Sequence, residues 1–482
     1  MAVRKYSNQG EMWGPSPDLA LPKAHLARAI DEIIERLKLG RCNRKRLHTP
    51  GEAAYDVRGM VKILIYAYAR GITSSREMAR QCEENLAFRF LSRGDCPDFR
   101  TLSLFRRKRR HLLRWVFKKT VALARQMGIA RLGLVALDSV KLAANASAGK
   151  KMTAAEIREQ IKGLNAYLEK VEVRDQQEDG QYGVEQRGDE LPAEVRDVQQ
   201  RKEKLEKALE VLAQQQAAAK REAPKNVSIV DPEAPWVKKG GRVIRGYSGQ
   251  VAADSEHQVI VGLKATAEPV DNEQLNPMLA EVATTAGQLP GQLVADSGYY
   301  TDDAVLAASK SRTDCIVPDS ETAAQLNNPG REVPEYHFSR FTYDEAKDEF
   351  TCPQGKKLPF CRIRNGRRGP AKVYRCADCR DCPFRGQCTK SASGFRSIEL
   401  RPDHVEVRKI RNKLNTEAAK AVYRNRKAII EPIFGRWQHN WGVRRLRLRG
   451  LNGFSVELHL LAIAHNLTKL LRWQPGLVGA AA

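Results

Sequence analysis

Two short apolar segments, each running straight into Asp-Ser, constrain this chain more than any other feature. The first is "LVALDSVKLAAN", Leu134 to Asn145, and the second is "QLVADSGYY", Gln292 to Tyr300. The stretch from Leu132 to Leu142 is nearly continuously apolar, as for a strand covered on both faces. Leu293, Val294 and Ala295 form a shorter run of the same kind. A carboxylate among apolar residues is costly unless it has a partner. Asp138 and Asp296 are therefore expected at the C-terminal ends of two buried strands, where sites form in α/β sheets. Two carboxylates brought together repel unless a cation lies between them. Mg²⁺ takes oxygen ligands, commonly one or two carboxylates plus phosphate oxygens. Either aspartate alone reads more simply as a cap on the following turn; their repetition favours a metal site.

The elements around these strands imply a mixed α/β core behind a helical N-terminal region. "HLARAIDEIIERL" places Leu26, Ile30, Ile33, Ile34 and Leu37 at helical spacing. Ser74 and Glu77 have the spacing of a capping box. "DFRTLSLFRRKRRHLLRWVFKKTVALA" reads as one helix, with Phe105, Leu112 and Val116 inward and Arg106 to Arg110 outward. Residues 150–225 are rich in Glu, Gln, Lys and Ala, and Ile157, Ile161, Leu164, Leu168 and Val171 lie three and four apart, as do Leu205, Leu209 and Leu212. This predicts a helical hairpin inserted after the first strand. Strands are expected at "RVIRGYSGQVAAD" and "HQVIVGLKAT", and a helix over 276–286. "VELHLLAIAHNLTKLL" reads as an amphipathic helix packed on the core. No apolar run reaches the length of a membrane span, and the N-terminus has no apolar leader segment; the expected location is the cytoplasm, at the nucleoid.

Lys and Arg number 82 against 57 Asp and Glu, a formal charge of +25. Such an excess favours a polyanionic partner, nucleic acid first. The runs Arg106–Arg110 and "RRLRLR" from Arg444 are the candidate phosphate contacts, with Arg106, Arg107, Arg109, Arg110, Arg444 and Arg445 as the leading residues. A third acidic ligand is expected from the helix in "VYRNRKAIIEPIFGRWQ". Glu431 is the candidate; Tyr423, Lys427 and Glu431 are four apart and are expected on one face. Pro432 disfavours helical geometry at the residue before it, so a kink or restart is expected there.

Of ten cysteines, Cys42, Cys82, Cys96 and Cys315 are scattered, while Cys352, Cys361, Cys376, Cys379, Cys382 and Cys388 cluster. Such density suits metal binding. Zn²⁺ held by Cys376, Cys379, Cys382 and Cys388 is the leading reading; a Cys352/Cys361 pair with two later thiols, iron–sulfur ligation, or thiols with no bound metal are the alternatives.

With these segments in view, the chain resembles DDE-type insertion-sequence transposases that have an RNase H-like catalytic core behind a helical N-terminal domain of the InsH type. The segments that carry the resemblance are "YDVRGMVKILIYAYARGITSSREMARQCEENLAFRFL", "PDFRTLSLFRR", "LDSVKLAANAS", "GYSGQVAAD", "ADSGYYTDDAVL" and "YRNRKAIIEPIFGRWQ". The resemblance implies Asp138, Asp296 and Glu431 as a carboxylate triad on Mg²⁺ or Mn²⁺, cleaving element ends and transferring strands into target DNA. It implies that Tyr423 and Arg426 open a signature that grips DNA beside the cut, with Lys427 flanking. The closing lysine of that signature is replaced by Gln438, leaving Arg436 or His439 to take its part. The domains expected are 1–129, helical and DNA-binding; 130–470, catalytic, with a 150–225 hairpin and a 350–390 zinc-ribbon-like insertion; and a 471–482 tail. A homodimer assembled on DNA is expected. The competing reading is a DNA-binding regulator derived from a transposase and devoid of catalysis.

Overall fold

The computed structural model of the chain describes residues 17–37, 39, 55–146, 151–182, 193–218, 223–328, 330, 334–366, 369–401, 404–414 and 416–473. Cys42, the tail beyond Trp473 and the break between the hairpin helices at 183–192 lie outside them. Helices come first: α1 (Pro17–Ala20), α2 (Leu26–Arg36), α3 (Val57–Ala69), α4 (Ser75–Glu84), α5 (Leu86–Ser92), α6 (Phe99–Lys108) and α7 (Arg110–Gln126). Side-chain oxygens of Asp56, Asn85 and Asp98 cap α3, α5 and α6 through their first free N–H groups. The capping box expected at Ser74 does not form: Ser74 makes no side-chain cap bond, and Glu77 instead takes Arg80 and Gln81. The single helix expected over "DFRTLSLFRRKRRHLLRWVFKKTVALA" is divided at Arg109, whose φ of −107° and ψ of 31° lie outside the α region.

The sheet that follows is built from β1 (Leu134–Ala143), β4 (Trp236–Lys239), β5 (Arg242–Asp254), β6 (Ile260–Thr266), β7 (Gln292–Ala295) and β8 (Asp314–Ile316). β5 is antiparallel to β1, β4 and β6, while β7 runs parallel to β1 and to β8. Its order, β6–β5–β1–β7–β8, sets β1 in the middle. The expected hairpin is present as α8 (Ala154–Tyr182) and α9 (Ala193–Ala218), with the short ribbon β2 (Lys151–Met152) and β3 (Val227–Ser228) at its base. Ile157, Leu205, Ala208, Leu212 and Val227 form its own small core. After β6 come α10 (Leu275–Ala286), α11 (Asp302–Ser309) and α12 (Ser320–Asn327). Gly262 lets α10 lie close on β6, since a Cβ there would stand 2.6 Å from Val282.

The cysteine-rich segment is a five-stranded antiparallel sheet of β9 (Thr342–Asp344), β10 (Glu349–Thr351), β11 (Lys357–Gly366), β12 (Gly369–Arg375) and β13 (Ser397–Leu400), with a short α13 (Arg385–Cys388). Helices α14 (His404–Lys413), α15 (Glu417–Gly435) and α16 (Gly450–Trp473) complete the chain. Pro432 lies inside α15 without interrupting it. Proline has no N–H for the carbonyl four residues back. That carbonyl, on Ala428, instead accepts from the Gln258 side chain at 3.0 Å. The helix neither restarts nor leaves the acceptor empty.

α16 is more buried than its sequence suggests. The amphipathic reading expected an outer face; Glu457, His459 and His465 are all inside, because N-terminal helices cover one side and the sheet the other. α16 packs on α2, α3, α6 and α7 as well as on β5 and β6, and one apolar core runs through both regions. The Glu457 carboxylate accepts from the backbone N–H of Arg447 (2.8 Å) and Leu448 (2.5 Å), so it anchors the basic loop. Burial raises its pKa; Arg106 and the two N–H groups oppose that rise. Arg106 is 2% exposed and donates to Tyr68 Oη and the Thr73 carbonyl, each at 2.9 Å. Removing one member of such a buried charged set leaves the other uncompensated. Arg106→Met should therefore lose roughly 3–5 kcal/mol in urea denaturation, while the exposed Arg107→Met should stay within about 0.5 kcal/mol of the parent.

Candidate active site

The register of the central strands builds the site. Leu137 of β1 stands opposite Ala295 of β7 in a parallel pair, so Asp138 and Asp296 follow at neighbouring positions. β7 ends at Ala295, whereas β1 continues to Ala143 against β5. Asp138 is thus inside its strand rather than at its end, at the point where β1 loses its β7 neighbour. Each carboxylate accepts from the backbone N–H of the serine after it: Ser139 to Asp138 at 2.7 Å and Ser297 to Asp296 at 2.9 Å.

The cation between them is a side chain. Arg426 of α15 donates to Asp138 Oδ2 at 2.8 Å and lies 3.6 Å from Asp296 Oδ1. Tyr423, one turn earlier, donates its hydroxyl to Asp296 at 3.1 Å. The Arg426 side chain is 5% exposed, Asp138 24% and Asp296 45%, so the pair opens outward on the Asp296 side. Burial raises the Asp138 pKa above the usual carboxylate range; Arg426 and the Ser139 N–H pull it down, and Asp296 adds to the rise. Burial, with Asp296 beside it, pushes the Tyr423 hydroxyl up to about 12.

Glu431 is exposed on α15 and makes no hydrogen bond or ion pair among the described residues. Tyr423 does not share its environment with Lys427 and Glu431 as expected. Tyr423, Arg426, Ile430 and Ile433 form the buried face, because α15 lies across the sheet; Lys427 and Glu431 face solvent. Among the described residues no three His, Cys, Asp or Glu side chains are gathered so as to hold a metal ion. Two carboxylates on adjacent strands do fit one oxygen-liganded cation completed by substrate oxygens, and Arg426 is the cation they hold here.

Asp271, in the loop before α10, was not singled out from the sequence. It accepts from Ser139 Oγ (2.9 Å), Lys141 Nζ (3.2 Å) and Gln250 Nε2 (2.6 Å), and Gln250 in turn receives the Tyr299 hydroxyl. One carboxylate thereby ties β1 and β5 to the turn that follows Asp296. An acidic residue in "EPVDNEQL" gives no signal of that role, since its partners come from two other segments, β1 and β5.

The candidate DNA contacts divide. Arg106 is withdrawn from solvent by the bonds described above, which corrects its assignment to the exposed face. Arg107 is exposed, and Arg109 and Arg110 are half-buried, with Arg109 over the Phe105 ring and Arg110 bonded to Asn452. Arg444 and Arg445 are exposed where the chain pairs briefly with Ala143, at the far end of β1. Arg436 is half-buried, with Nη1 lacking a partner. Among the described residues no helix is long and apolar enough to cross a membrane.

Two comparisons bear on this arrangement. Residues 16–108 match a family model described as a transposase domain (DUF772), and residues 351–471 match one described as a transposase DDE domain. Both matches support a DDE-type insertion-sequence transposase. The DDE match takes in the clustered cysteines from Cys352 to Cys388, Tyr423, Arg426 and Glu431; it begins after Asp138 and Asp296, which the strand register brings to the same site. No curated protein and no solved structure matches this chain.

Because its folded-state pKa is raised, Asp138 binds a proton more readily in the folded chain than in the unfolded one. Its charged form destabilises the fold above that pKa, and the penalty is relieved as pH falls through it. Arg426→Ala should enlarge the shift. Urea denaturation should find the variant weaker by roughly 3–5 kcal/mol at about pH 7.5, with a smaller deficit near pH 5. An equal deficit at both would remove Asp138 as its source.

Proposed function

We propose that this transposase cleaves the ends of its DNA element and joins them to target DNA at Asp138, Asp296 and Glu431, with a divalent cation. The observation that carries the reading is the placement of Asp138 and Asp296 at neighbouring positions of two parallel strands, gripped by one helix. Three antiparallel strands followed by two parallel ones, β6–β5–β1–β7–β8, support an RNase H-like core. Glu431 belongs to the helix that holds both aspartates and is exposed, which supports its entry as the third carboxylate once DNA is bound.

Asp138 and Asp296 would hold Mg²⁺ or Mn²⁺, with Glu431 completing the set. Such an ion supplies activation of the attacking oxygen and stabilisation of the leaving one. The chain's own groups do the positioning. Arg426 changes partners, moving from the two carboxylates to a phosphate oxygen, for which a planar guanidinium is well shaped. Tyr423 keeps Asp296 oriented through its hydroxyl. Arg107, Arg109, Arg110, Arg436, Arg444, Arg445 and Lys427 supply backbone phosphate contacts, consistent with a charge of +25.

Asp138→Asn, Asp296→Asn and Glu431→Gln each remove a charge with little change of shape. Each should lower metal-dependent cleavage of a plasmid bearing the element's ends by about 100-fold or more, while leaving affinity for those ends unchanged. Normal cleavage by Glu431→Gln would remove it from the triad. Reversing Arg107, Arg444 and Arg445 should instead weaken binding and flatten its dependence on log salt by about 0.9 for each lost contact; unchanged affinity and slope would exclude this surface.

A further inference from the structure

The cysteine-rich sheet is too small to explain its own order. Its apolar core consists of Phe341, Phe350, Leu358, Tyr374, Cys376, Ile398 and Leu400. Units of this size ordinarily require a disulfide, a metal or a partner. Its cysteines are free thiols. Beside the core is a cavity of about 20 Å³, room for one water or one ion. Cys352, Cys376, Cys379, Cys382 and Cys388 all line it, although they come from two segments separated by β11 and β12.

The surroundings are those of a thiolate centre. In "CPQGKK" the Cys352 N–H donates to the Lys356 carbonyl at 2.9 Å, and Gly355, with φ of +74°, closes the turn. The Lys356 N–H then points at Cys352 Sγ, 3.3 Å away. A backbone donor aimed at sulfur stabilises its charged form. Lys356, Arg385 and Arg396 line the same cavity, and Arg396 donates to the Cys388 carbonyl at 3.0 Å while its Nε is buried without a partner. Four thiolates around Zn²⁺ carry two net negative charges, which these three cations offset. Cys361, on β11, is exposed and outside the cavity. Cys376 is 1% exposed and part of the aromatic core, whereas Cys352, Cys379, Cys382 and Cys388 are half-buried, outside the strands.

We propose that Cys352, Cys379, Cys382 and Cys388 bind one structural Zn²⁺, with Cys376 packed beneath it as a core residue. This exchanges Cys376 for Cys352 in the ligand set expected from spacing. As placed, no three of the thiols stand at ion-holding spacing; rotation between staggered χ1 wells moves each Sγ relative to the cavity centre. The ion would join the turn before β11 to the turns after β12, closing the open end of the sheet. It is independent of the proposed DNA chemistry.

The test uses the full chain purified under reducing conditions. Elemental analysis should find about one zinc per chain. Cobalt replacement should give the visible bands and sulfur-to-cobalt charge transfer of a tetrahedral thiolate site. Cys352→Ser and Cys388→Ser should lose the stoichiometric ion and the charge-transfer intensity; Cys376→Ser and Cys361→Ser should keep both. Should a serine variant fail to fold, the parent chain serves: chelation should lower its melting temperature and added Zn²⁺ should restore it. Failure of the reduced chain to take up zinc, retention of the ion by Cys352→Ser, or its loss from Cys376→Ser would overturn the assignment.

Discussion

The contact on which the site depends is one guanidinium shared by two carboxylates. Asp138 and Asp296 are fixed at neighbouring strand positions by the β1–β7 register, and like charges that close need compensation. Arg426 supplies it from α15. The same contact places α15 across the sheet, and Tyr423 reinforces it through Asp296. Everything further along α15 follows from that orientation, including the buried side chains of Ile430 and Ile433 and the exposure of Glu431.

A second constraint holds the frame around this contact. Asp271 draws together groups from β1 and β5 and, through Gln250, the turn after Asp296. Glu457 does similar work behind the sheet, holding the loop that carries Arg444 to Arg449. Both are acidic groups with structural partners in a very basic chain. The free cationic surface is therefore smaller than the formal charge suggests, and Arg106 illustrates the difference.

Much of this was legible in the sequence because it depends on local pattern. The apolar runs before Asp138 and Asp296, and the three-and-four spacing through Ile157 to Leu164 and Leu205 to Leu212, fix strand and hairpin by periodicity alone. What was not legible depends on partners far away in the chain. Pro432 reads as a break until Gln258 is seen to take the freed Ala428 carbonyl. Arg106 belongs to a run of five basic residues, and only the packing of α6 against α3 and α16 shows which one turns inward. Asp138 lies within a strand because β5 extends beyond β7, a difference in strand length that Asp138's own neighbours do not encode. Spacing groups Cys376 with Cys379, while the cavity also draws in Cys352 from across the sheet.

The central claim is that Asp138 and Asp296 exchange the Arg426 guanidinium for a divalent ion when DNA arrives. It is tested most directly by the structure of the chain bound to an element end in Mn²⁺, read by anomalous scattering. The account predicts manganese coordinated by Asp138 and Asp296, Glu431 turned towards it, and Arg426 moved onto a phosphate. Manganese bound elsewhere, with Arg426 still joining both aspartates while DNA is engaged, would contradict it.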